Sequence, residues 1–157
     1  MKKIIGLRPS TIIDVISALF ILLFVYTALS KFYNFDNFQW VLGRSPLIGA
    51  NSILVSYLVP LSEILIAGLL FFPSTRLLGL YCATILMTLF TIYIIYMLLF
   101  TPDLPCSCGG VLKELTWTQH LIFNIFFVLL GIIGIISEKK HLKERSVLSK
   151  RLPIPYH

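Results

Sequence analysis

With 157 residues, 57% of them hydrophobic, only 13% charged and a mean hydropathy of +0.91, the chain lies outside the range of a soluble domain. The formal net charge of +6 calls for no nucleic-acid partner, because a basic segment beside a membrane anchors topology and touches anionic lipid. Too little chain remains between the apolar stretches for a separate soluble domain.

Four stretches, 12–30, 52–72, 77–100 and 117–136, approach or exceed the roughly 20 residues of helix that cross a bilayer. They are long and continuous rather than short and alternating, which favours helix over barrel strand. The expected fold is all-α: an up-down-up-down four-helix membrane bundle over 1–137, then a basic cytoplasmic tail over 138–157. Lys2, Lys3 and Arg8 precede the first stretch much as they would a secretory signal. Its length and the lack of a small-x-small cleavage site mark it as a retained span. Asp14, near the start of that span, can favour the helix N-terminal dipole.

The connection over 31–51 carries Phe35, Phe38 and Leu42 near helical spacing, the pattern of a short interfacial helix. Phe32, Tyr33, Trp40 and Trp117 would form an aromatic belt. On the opposite side, Pro73-Ser-Thr-Arg76 makes a tight turn. Short connections force antiparallel neighbours, hence the bundle. Beyond it, 138–145 can extend the fourth helix briefly, and 149–157 reads as a loose end.

Orientation follows from the basic residues. One side receives Lys2, Lys3, Arg8, Arg76, Lys139, Lys140, Lys143, Arg145, Lys150 and Arg151; the other receives Lys31, Arg44 and Lys113. Both termini are therefore expected in the cytoplasm, with 101–116 on the outer side.

That segment contains Cys106-Ser-Cys-Gly-Gly110. A disulfide wants its Cα atoms about 4.4–6.8 Å apart, so an i, i+2 pair must bend to close, and Gly109 and Gly110 ease the bend. Such a small ring contributes little entropic stabilisation, while strained, exposed disulfides exchange readily. The expected chemistry is redox exchange; inert thiols and metal binding are the alternatives. Cys82, well inside the third span, cannot reach the pair and should be packing.

His120 and Asn124 share one face at the outer end of the fourth span. His120 is read as a base or as a stabiliser of a thiolate, with an interhelical hydrogen bond as the alternative; Asn124 is read as an interhelical bond. Glu63 lies about eleven residues into the second span, on the order of 16 Å deep. It must be protonated, hydrogen-bonded or beside a wet cavity; a proton relay or a quinone or substrate contact is the functional reading, and a polar peg fixing helix register the alternative. Pro60 frees a backbone carbonyl nearby. The Thr84, Thr88 and Thr91 stripe should bond back to its own helix.

The arrangement of Ser30-Lys31-Phe32, Pro60, Glu63, Cys106-Ser-Cys-Gly-Gly110, Trp117, His120 and Asn124 resembles the MauE family of methylamine-utilisation membrane proteins, within the DoxX-like four-helix group. The likeness runs to about residue 137. It implies an inner-membrane protein working with a thioredoxin-like periplasmic partner in the redox maturation of exported proteins. In the name-giving family the client is a methylamine dehydrogenase subunit. Four-helix thiol oxidases such as DsbB and vitamin K epoxide reductase use two cysteine pairs, one of them facing quinone, whereas this chain has one outer pair. Quinone is thus an expected cofactor only if electrons leave Cys106/Cys108 directly or a partner supplies the second pair.

Three functions compete. In the first, Cys106 and Cys108 exchange disulfides with the partner, His120 stabilises the leaving thiolate, and Glu63 manages a proton or a quinone ring. The second is a non-enzymatic membrane scaffold for an envelope complex. In the third, Cys106, Cys108 and His120 handle copper as soft ligands.

Overall fold

The computed structural model describes residues 9–100 and 117–151. Among the described residues five α-helices follow one another: α1 (Pro9–Tyr33), α2 (Phe35–Arg44), α3 (Ser52–Phe71), α4 (Arg76–Phe100) and α5 (Trp117–Arg151), with a 3₁₀ turn, Gly49–Asn51, leading into α3. No strand occurs among the described residues. In hydrocarbon every backbone N–H and C=O must find its partner within the segment, and the helix satisfies that condition. The helices α1, α3, α4 and α5 are each long and apolar enough to span the bilayer. The protein is a multi-pass membrane protein, and its outward faces contact lipid.

Each spanning helix buries one stripe at intervals of three and four residues. On α1 the stripe is Ile13, Ile16, Ser17, Phe20, Phe24, Thr27, Ala28 and Lys31; on α3 it is Ser56, Pro60, Glu63, Ile66, Ala67 and Leu70. The opposite faces carry exposed Leu, Ile and Phe side chains. Polar groups thus point inward and large apolar ones outward, the reverse of a soluble helix and the arrangement lipid demands. α1 packs on α3 and α5, and α4 packs on the same two, so the ring order is α1–α3–α4–α5 with antiparallel neighbours. The apolar core joins Phe20, Phe24, Leu70, Leu80, Met87 and Phe127, with the Phe20 and Phe127 rings edge to face at 5.3 Å.

The two ends of the bundle differ. One end holds the first residues of α1, the α3–α4 turn and the run-out of α5; the other holds α2 and the ends of α4 and α5 that flank 101–116. α2 is the short amphipathic helix the spacing predicts. Phe38, Val41 and Leu42 are buried against the bundle, Trp40 is exposed, and the Arg44 guanidinium stacks 3.8 Å over its ring. Phe35 is half-buried and meets the Tyr57 ring at 4.7 Å.

At the opposite end Asp14 does more than favour a dipole: its Oδ1 accepts from Arg76 Nη1 at 2.8 Å, tying α1 to α4. The 35-residue α5 would run about 52 Å, well beyond a hydrocarbon core of about 30 Å. It carries the basic stretch as continuous helix through Arg151, further than the short extension to 145 that the sequence suggests. The hydroxyls of Thr84, Thr88 and Thr91 donate to the carbonyls of Leu80, Thr84 and Met87, each at 2.7 Å, the back-bonding expected of them.

The α3–α4 turn closes tightly. Thr75 Oγ1 donates to the Leu69 carbonyl at 2.8 Å, and a Cβ at Gly79 would lie 2.9 Å from the Leu70 nitrogen and 3.0 Å from the Leu69 carbonyl carbon. These are backbone atoms and cannot swing aside. Gly79→Ala should therefore destabilise the bundle by about 1–3 kcal/mol, read as a lowered unfolding midpoint in detergent. An unchanged midpoint would show that the helices separate there at no cost.

Candidate functional site: a buried ion pair in a membrane cavity

A cavity of about 570 Å³ opens within the half of the bundle nearest α2. Its walls come from the last turns of α1, the first half of α3, the second half of α4 and the start of α5, and Phe38 and Leu42 of α2 cover its end. Most of the lining is aliphatic or aromatic. The exceptions include Thr27, Lys31, Ser62, Glu63, His120 and Asn124.

The ion pair dominates this site. Lys31 Nζ donates to Glu63 Oε1 at 2.7 Å, with side chains only 6% and 1% exposed. The ammonium also sits 5.8 Å from the Phe38 ring centroid and 5.9 Å from that of Phe90, so α2 and α4 complete its surroundings through their ring faces. Glu63 Oε2 is buried and has no hydrogen-bond partner among the described residues. The Thr27 hydroxyl, beside the carboxyl, donates to the Phe24 carbonyl at 3.3 Å.

Glu63 therefore meets a cation rather than only a hydrogen bond, and Lys31 is no loop charge. It is the last inward position of α1's stripe, within the span that ends at Tyr33. Continuing the three-and-four spacing from Phe20 through Phe24 and Thr27 reaches Lys31, and that signal was available in the sequence.

His120 and Asn124 are both buried, and both line the cavity. The Asn124 side-chain amide donates to the His120 carbonyl at 2.9 Å, within its own helix. Pro60 is buried one turn before Glu63. Cys82 is a free, half-buried thiol packed against the apolar core. It lies eighteen residues of α4 away from Phe100, about 27 Å along the helix. Cys106 and Cys108 lie outside the described residues; their segment joins α4 to α5, and both flanking helix ends belong to the α2 end of the bundle.

Fold and site together define a four-span helical membrane protein with a charged pair enclosed in an otherwise apolar cavity. The family model described as "Methylamine utilisation protein MauE" matches residues 9–137, and the chain belongs to that family. No curated protein and no solved structure matches it.

Removing one member of a buried ion pair strands the other charge in hydrocarbon. Glu63→Leu or Lys31→Met alone should cost about 3–5 kcal/mol of stability, and the Lys31→Met/Glu63→Leu double variant should recover most of that loss. A double-mutant cycle on detergent unfolding measures this; additive single losses would mean the two charges are not coupled.

Proposed function

We propose that the chain is a thiol–disulfide exchange protein of the bacterial inner membrane, acting in the redox maturation of exported proteins. The observation that carries the reading is the Cys106-Ser-Cys108 sequence in the segment joining α4 to α5. Two thiols one residue apart can form a strained ring that gives up its disulfide readily. A partner thiolate attacks one sulfur, the ring S–S bond breaks, and a mixed disulfide forms while the other sulfur leaves as thiolate. Attack by the partner's second thiolate completes oxidation of the partner and leaves Cys106 and Cys108 reduced. Resolution by the second loop cysteine reverses the first step.

The placement of Lys31 supports a periplasmic location for this segment. With Lys31 counted inside the bundle, the α2 side keeps only Arg44 and Lys113 against the ten basic residues assigned to the opposite side. The positive-inside rule then favours a cytoplasmic tail more strongly. His120, buried three residues into α5, is placed to favour a thiolate near the point where the segment rejoins the bundle. Membership of the MauE family connects the chain with methylamine utilisation, which makes an exported protein of that system, oxidised through a thioredoxin-like partner, the proposed client.

Single variants retaining only Cys106 or only Cys108 should trap a mixed disulfide with that partner, and the Cys106→Ser/Cys108→Ser double variant should transfer none. Maleimide labelling from the periplasmic side should modify the reduced wild-type pair. Undiminished client oxidation in the double variant, or labelling from the cytoplasm alone, would overturn the proposal. A pair locked in one redox state would indicate a scaffold instead.

A further inference from the structure

The exchange chemistry proposed above leaves the cavity and its ion pair unexplained. Of the side chains lining it, only Leu58 on α3 and Leu89 on α4 are more than half exposed. Both lie inside membrane-crossing segments. The opening is therefore lateral, between α3 and α4, and faces lipid tails. A ligand reaching this cavity comes from the bilayer and must itself be apolar over most of its surface.

The polar groups narrow the class further. Lys31 Nζ has three donor hydrogens and uses one on Glu63 Oε1. Glu63 Oε2 is a buried acceptor with no partner among the described residues, and leaving such a group unpaired in an apolar site is costly. The pair offers a donor and an acceptor side by side with no net charge. A phospholipid headgroup would bring an uncompensated phosphate into this neutral site, below the depth at which headgroups lie. A metal ion would face the Lys31 ammonium, and among the described residues no three His, Cys, Asp or Glu side chains gather to hold one. A neutral ring carrying oxygen substituents satisfies both partners. A hydroxyl of the quinol form can accept from Lys31 and donate its own hydrogen to Glu63 Oε2, whereas a quinone carbonyl can only accept from Lys31; the Phe24 and Phe90 side chains offer apolar walls for the ring, and a prenyl tail passes out between Leu58 and Leu89.

We propose that the cavity is a binding site for a membrane-dissolved isoprenoid quinol, entering between α3 and α4 with a ring hydroxyl between Lys31 and Glu63, and that the oxidised quinone is held there through Lys31 alone. The proposal stands on the cavity and needs no reaction at Cys106 or Cys108.

The full-length protein in nanodiscs of defined phospholipid, titrated with a photoactivatable azido-quinone, provides the test. Wild type should crosslink saturably within the cavity, competed by unlabelled quinone and not by added phospholipid. Lys31→Met/Glu63→Leu, which removes both polar contacts without stranding a charge, should weaken binding by about tenfold or more. Should that variant fail to fold, Leu58→Trp/Leu89→Trp keeps the pair intact, alters only lipid-facing side chains and should block access. The Cys106→Ser/Cys108→Ser variant should bind as wild type does, which separates failure of this inference from failure of the exchange reading. Competition by phospholipid alone, labelling outside the cavity, or binding unchanged in both the double charge variant and the double tryptophan variant would overturn it.

Discussion

The bond between Lys31 and Glu63 is the constraint around which this bundle is organised. Each charge alone would be expelled from hydrocarbon, because desolvating an ion costs several kcal/mol even after the surroundings relax. Together, at 2.7 Å and almost fully buried, each makes the other's position tolerable. The pair sets the last turn of α1 beside the middle of α3, an alignment that the antiparallel connection between the two helices allows. Packing of apolar side chains against apolar neighbours gives little rotational preference in lipid. A single buried ion pair supplies that preference, since a rotated helix would turn a charge toward the tails.

α1 is pinned a second time at its other end. Asp14 and Lys31 are seventeen residues apart, about 25 Å of helix. The first bonds Arg76 of α4 and the second Glu63 of α3. The two contacts are unequal. Asp14 is largely exposed, so its pair resembles a surface salt bridge worth at most about 1 kcal/mol. Its value is geometric, holding the start of α4 near α1, which otherwise lies across the ring. The buried pair sets rotation, the exposed one helps set register, and the Gly79 contact brings α3 and α4 together at that same end.

Much of this was legible in the sequence, for a physical reason. Hydrocarbon imposes one backbone solution, so length and apolarity reveal four spans, and short connections make neighbours antiparallel. The amphipathic spacing that produces α2 and the back-bonding of the threonine stripe are local properties and could be read locally. Glu63 stood out because a carboxyl in mid-span has no cheap environment. Lys31 did not, since a lysine near a span's end ordinarily snorkels to the interface and the adjacent Phe32 and Tyr33 look interfacial. The stripe spacing that reaches Lys31 is in the sequence, but its partner lies thirty-two positions away, and spacing along one helix does not name a contact on another. Asn124 makes one bond within its own turn, to the His120 carbonyl, which uses a single donor of its side-chain amide.

The placement of the cavity relative to the cysteine-bearing segment follows from topology. An up-down-up-down bundle puts its first and third connections at one end. Here the first connection is α2 with its 3₁₀ turn, which caps the cavity through Phe38 and Leu42, and the third is 101–116. The Lys31–Glu63 pair belongs to that half because Lys31 ends α1 there and Glu63 lies just far enough into α3 to meet it. Even parity in the fold thus brings a neutral, hydrogen-bonding pocket and the paired thiols to one side of the membrane, with α5 beginning at the junction and His120 on its first turn. Moving the cysteines to the α3–α4 turn would put them beside Asp14 and Arg76, at the end the cavity does not reach. Of the two connections at the cavity end, the first is folded into α2 and covers the cavity, so the third, which carries Cys106 and Cys108, is the one not committed to capping it.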